Sequence, residues 1–194
     1  MGFSLSWVAF RGRPAEDVRA EVGLRSSDDR DDRDGWRFLG ATLFEDWNLL
    51  VSGSDDRFIH EALLARLSRG CEVVACFVEE HVMASRATEW RDGRNVWTVD
   101  HDSSVAADHL EVTGEAPEAL ESIRQAAEAK REVDSDDEYP VDYLFEVPVE
   151  LAQVLVGFRY DDVFSDHVMD SCDVLVEAPP EAPCKRFWAR LLGR

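Results

Sequence analysis

The segment from Cys71 to Asp102, CEVVACFVEEHVMASRATEWRDGRNVWTVDHD, restricts the possible fold more than any other part of the chain. It opens with an unbroken apolar run, and Asp92-Gly93 separates two β-prone stretches. A two-residue hairpin turn wants positive φ at positions that Asp and Gly tolerate, so an antiparallel hairpin is predicted here. With Asp92 and Gly93 as the turn, Trp90 is expected opposite Asn95, Thr88 opposite Trp97, Arg86 opposite Val99 and Ala84 opposite His101. Opposed residues share a face. Trp90, Trp97, Val99, His101 and Arg86 are therefore expected on one buried face, with Glu89, Val96 and Thr98 on the other.

The same block holds the candidate metal ligands, Glu79, His81 and His101, with His109 just beyond it. Imidazole and carboxylate donors of this kind suit a divalent metal or acid-base chemistry. Along an unbulged strand, a period of two places Glu79, His81 and Met83 on the face opposite His101, which argues against a shared site. One β-bulge between positions 80 and 84 would reverse that parity.

The chain has 194 residues and 45% hydrophobic residues including six Trp, enough for one substantial core. A single α+β unit is expected over 1–160. An acidic irregular segment and Pro-rich spacer should follow at 161–182, and a basic amphipathic helix at 183–194. The formal net charge is -20, so the field of the molecule repels phosphate backbones and anionic lipid. That argues against nucleic acid as a partner; the same field speeds encounter with a basic protein, although surplus acid more often serves only solubility.

Helix and strand signals run through the whole sequence. Phe3 to Phe10 alternates as a strand, and a helix is expected from Pro14 to Val22, stopped by Gly23. A charged loop at 25–35 precedes strands near Trp36 to Phe44 and Trp47 to Val51. Arg57 to Arg69 reads as an amphipathic helix ended by Gly70. A short strand at His109 to Thr113, a helix from Pro117 to Arg131, an acidic connector at 132–140, an ordered stretch at Val141 to Val147 and a helix from Pro148 to Val156 complete the pattern. Pro14, Glu16, Val22, Gly23 and Arg25 are echoed by Pro148, Glu150, Val156, Gly157 and Arg159. That echo raises an internal βα duplication, although shared start and stop rules for helices account for much of it. The fold class expected is α+β, a mainly antiparallel sheet with about four helices packed on one face or its ends.

Beyond Pro183, Phe187, Trp188, Leu191 and Leu192 form an apolar stripe backed by Lys185, Arg186, Arg190 and Arg194. Phe187, Trp188 and Arg190 are the candidate partner-binding residues, with a homo-oligomer built through this helix as one outcome. Cys71, Cys76, Cys172 and Cys184 lack metal-ribbon spacing, and reduced thiols in a cytoplasm fit them best. The N-terminus has no basic region ahead of an apolar run, so no secretory leader is expected, and no run is long enough to span a bilayer.

No GxSxG elbow, phosphate-binding Gly-rich loop, GxGxxG fingerprint or HExxH helix occurs, so neither catalytic residues nor a cofactor are assigned. Placing Gly35 at the sixth position of a calcium loop would make Arg30 its first ligand, which rules that motif out. The blocks SWVAFRG, GCEVVACFVEEHVM and W-x-D-G-x-x-x-W resemble those of uncharacterised bacterial proteins of similar length, over most of the first 160 residues. The resemblance implies a bacterial origin and a single domain, and supplies no site residues. The function expected is a non-enzymatic acidic binding protein, immunity-like, neutralising a basic toxin or effector. The alternatives are a metal-dependent or acid-base hydrolase using the Glu79 to His109 region, or an oligomerising structural module.

Overall fold

The structure, a computed structural model, describes residues 2–27, 36–53, 55–134, 141–164 and 172–179. Its centre is an antiparallel sheet. The strands are β1 (Ser4–Arg11), β2 (Leu24–Ser26), β3 (Phe38–Thr42), β4 (Asn48–Ser52), β5 (Glu72–Glu79), β6 (Ala84–Arg91), β7 (Arg94–Asp102), β8 (Glu111–Gly114) and β9 (Asp173–Glu177). Their order across the sheet is β2-β9-β3-β4-β1-β5-β6-β7-β8. The helices are α1 (Ala15–Glu21), α2 (Glu61–Leu67), α3 (Ala119–Val133) and α4 (Glu146–Val156). The α+β class expected from the sequence is the one observed.

The helices divide between the two faces of the sheet, where the sequence pattern had placed them on one face or its ends. On one face Trp7, Leu39, Val51, Val74, Cys76, Ala87, Trp97 and Val99 pack under α4 residues such as Val149, Leu151 and Ala152. On the other, Val8, Phe10, Leu50, Val73, Ala75 and Trp90 pack under Val18 of α1 and Leu64 and Leu67 of α2. Central strands covered on both sides must be apolar at every position, which is why β1 and β5 read as nearly continuous hydrophobic runs. The thin stripe of α3 packs both on the main cluster, through Ala119, Leu120 and Ile123, and on a small cluster of Ala127, Leu144 and Val147.

The Asp92-Gly93 turn forms as expected, with φ of 50° and 78°. Beyond it the register departs from the expected one. Trp90 does oppose Asn95, but Glu89 then opposes Trp97, so Val96 is an extra residue on β7. From there Thr88 pairs with Thr98, Arg86 with Asp100 and Ser85 with His101. One inserted residue moves every later side chain to the other face. Trp90 and Trp97 consequently lie in opposite core layers, and Arg86 leaves the face of His101. Gly114 accommodates the bulge: with φ of 76°, it lies so close to Val96 that a Cβ would collide with the Val96 carbonyl oxygen.

The long run from Cys71 to Trp90 is two strands, because the chain turns between Glu79 and Ala84 with Met83 at φ 49°. Asp173–Glu177, expected to be irregular, is a strand held between β2 and β3. At 143–145 the chain makes a 3-10 turn that runs directly into α4, so α1 follows a strand and α4 does not. Both helices end at a left-handed glycine, Gly23 and Gly157, each with φ 73°.

Candidate functional site

Among the described residues, helical cover ends before the sheet does: beyond the part of β6 that packs under α2, this face carries no helix over β7 and β8, and a cavity of about 310 Å³ lies there. Thr88, Trp90, Thr98 and Asp100 rise into it from the two long strands, Glu111 and Thr113 from β8, and Glu61 and Leu64 from α2. The Val96 bulge builds this surface, since it is what brings Arg86 beside Asp100 and Thr88 beside Thr98.

The floor of the groove is a closed hydrogen-bond network. The Thr88 hydroxyl donates to the Trp97 carbonyl at 2.9 Å and accepts from Trp90 Nε1 at 3.1 Å and Asn95 Nδ2 at 2.8 Å. Trp90 is thereby fixed with its ring against the cavity. On the wall, Arg86 donates to both oxygens of Asp100, at 3.2 and 2.6 Å. This hydrogen bonding raises the guanidinium pKa above its ordinary value, and the nearby charges of Asp100, Glu61 and Glu111 add to the effect. Three carboxylates thus surround one cation. Asp100 is committed to Arg86, whereas Glu61 and Glu111 are both exposed and form no ion pair among the described residues. Among the described residues no His, Cys or Lys lines the cavity. The arrangement suits recognition of a cation against an aromatic wall.

The residues singled out from the sequence lie elsewhere and do not converge. His81 Nδ1 is 2.6 Å from Glu79 Oε1 at the β5–β6 turn, with His81 largely exposed. Burial pushes the Glu79 carboxyl up, but hydrogen bonds from Ser4 and His81 outweigh this and hold it below its ordinary value. His101 is fully buried on the opposite face. Its Nδ1 lies 2.7 Å from the His109 carbonyl oxygen and its Nε2 3.0 Å from Asp142 Oδ2. His109 Nδ1 accepts from the Asp102 backbone at 2.9 Å. Among the described residues, no group of three or more His, Cys, Asp and Glu side chains is arranged to hold a metal ion.

Ser85, His101 and Asp142 have the composition of a catalytic triad but not its geometry. Ser85 donates to the Phe145 carbonyl at 2.7 Å, and both nitrogens of His101 are already engaged, so no ring nitrogen remains to activate the hydroxyl. The three instead pin the start of α4 to the sheet, with Asp142 Oδ1 also accepting from the Phe145 amide. Burial pushes the thiols of Cys71 and Cys76 up, which disfavours the thiolate a nucleophile needs. Phe187, Trp188 and Arg190, the partner-binding candidates, lie outside the described residues, as does Cys184.

None of the groove residues was a candidate from the sequence. The one available signal was the period-two run Arg86, Thr88, Trp90 set against Thr98 and Asp100, a polar face on adjacent strands, and it becomes coherent only once the bulge is counted. No protein-family model matches the chain, and no curated protein or solved structure matches it either. Fold and site therefore define the molecule as an α+β protein with an acidic, aromatic-walled groove on an open sheet face. No described helix is long and apolar enough to cross a membrane.

Proposed function

We propose that this protein is a non-enzymatic binding protein for a basic protein partner, in the manner of an immunity protein that masks a basic toxin or effector. The observation that carries the reading is the Arg86 environment. A single guanidinium bound by Asp100 stands beside Glu61 and Glu111, leaving an open groove with surplus negative charge on a chain of net charge -20. Charge complementarity of this kind speeds encounter and selects a partner by sign. Trp90, 8% exposed, lines the cavity beside these acids.

The test is affinity capture by the full-length protein from its own cell lysate at low and moderate salt, with bound proteins identified by mass. A basic protein retained at low salt and released at moderate salt supports the reading. A blank at both salts overturns it.

A further inference from the structure

β8 is the last strand of the sheet and pairs only with β7 among the described residues; all four of its residues are exposed. A strand end of this kind presents unpaired backbone N–H and C=O groups, a template for another chain. Its side chains alternate between two surroundings. Glu111 opposes Asp100 and Thr113 opposes Thr98, so both face the groove, whereas Val112 opposes Val99 and, 42% exposed, faces the other way.

Charge decides what can use this edge. Two copies pairing β8 to β8 in antiparallel fashion would bring Glu111 and Glu115 of each into one small area, between molecules each carrying a net charge of -20. Like charges at close positions across strands are destabilising, so the edge rejects a second copy and selects a cationic one. Resting on the basic-partner reading above, we infer that the partner binds by adding an extended basic segment as a tenth strand alongside β8. In that segment Lys or Arg occupies alternate positions, reaching Glu111 and Glu61 across the groove, and the positions between are apolar and cover Val112. Backbone hydrogen bonds to the edge hold the segment, and the groove reads its charge.

The experiment uses a synthetic peptide alternating Lys and Val, titrated into the full-length protein, with hydrogen exchange read at the β8 amides. The expected result is saturable binding with slowed exchange in β8. Affinity should fall about tenfold or more in the combined Glu61→Lys and Glu111→Lys variant, and similarly for a peptide of the same charge N-methylated at alternate amides. Both substitutions are at exposed positions, so the variant keeps its fold, which its circular dichroism verifies. No binding, or binding that leaves β8 exchange unchanged or survives N-methylation, overturns strand addition. The two readings fail separately. A basic partner from lysate that binds the wild type but not the double variant, and leaves exchange in β8 unchanged, removes this inference and leaves the basic-partner reading standing. Peptide binding with β8 protection, alongside a blank lysate capture, does the reverse.

Discussion

Trp97 donates its indole N–H to Glu89 Oε2 at 2.6 Å, and the two residues are nearly inaccessible to solvent, at 0% and 6% exposure. They are the first opposed pair beyond the bulge. Glu89 reaches Arg91 Nε with its other oxygen, also at 2.6 Å, so a buried carboxylate is balanced from both sides. Glu89→Ala strands the indole donor in the core and should cost about 2 kcal/mol of stability, the usual penalty for an orphaned buried polar group. Urea unfolding of this variant, of Trp97→Phe and of the pair together measures it. A coupling energy near zero in that cycle would mean that the hydrogen bond contributes nothing.

Gly114 should tolerate no side chain. Its φ of 76° disfavours any L-residue, and a Cβ would meet the Val96 carbonyl oxygen and lie 2.9 Å from Trp97 Cα, both rigid backbone. Gly114→Ala should destabilise the protein by at least about 2 kcal/mol, with the loss localised at β8. Hydrogen exchange is the measurement: β8 amides should open while those of β1 and β5 keep their protection.

His101 locks the helical layer to the sheet. A carbonyl and a carboxylate can only accept, so His101 Nδ1 must carry a proton for His109, and a second proton lies between Nε2 and Asp142. His101→Phe keeps the volume but leaves Asp142 and the His109 carbonyl without their partner. A loss of about 2–3 kcal/mol is expected, with early opening of α4. Nitrogen NMR of the ring should show Nδ1 protonated, and an unprotonated Nδ1 would contradict the geometry.

Stability should weaken in acid partly through Glu21. Burial raises its carboxyl, but hydrogen bonds from Arg13 and Arg66, at 2.7 and 2.9 Å, together with their charges, outweigh this and hold it below its ordinary value of 4.5. A folded-state value below the unfolded one means that the contribution is present above pH 4.5 and is lost as pH falls through the folded value. The stability difference between the wild type and Glu21→Gln should therefore be largest near neutrality and shrink in acid. Denaturation midpoints across that range test it, and a difference independent of pH would contradict the ion pairing.

The pattern of residues was legible wherever a force acts locally. The Asp92-Gly93 turn needs positive φ, so it could be read directly. The left-handed glycines at 23 and 157, which close α1 and α4, were legible for the same reason. The candidate site was not. Its acids come from α2, β7 and β8, segments whose meeting depends on how the sheet is assembled. His101 and Glu79 were correctly placed on opposite faces even though the strand between them proved to be two, because the unforeseen turn and the unforeseen bulge did not alter that relation.

The sequence alone determined the α+β class, the hairpin turn and the glycines that end α1 and α4, since each follows from hydrophobic period and backbone preference within a few residues. Only the tertiary structure decided the rest. Leu24–Ser26 is too short to declare itself a strand, and the apolar Val174, Leu175 and Val176 sit alone in an acidic stretch, so both segments become strands only where Asp173–Glu177 pairs with Leu24–Ser26 on one side and Phe38–Thr42 on the other. The extra residue at Val96 has no signature of its own in the local pattern. It is accommodated because Gly114 lies against it and Glu89 is there to meet Trp97, and that single insertion determines which side chains face the groove.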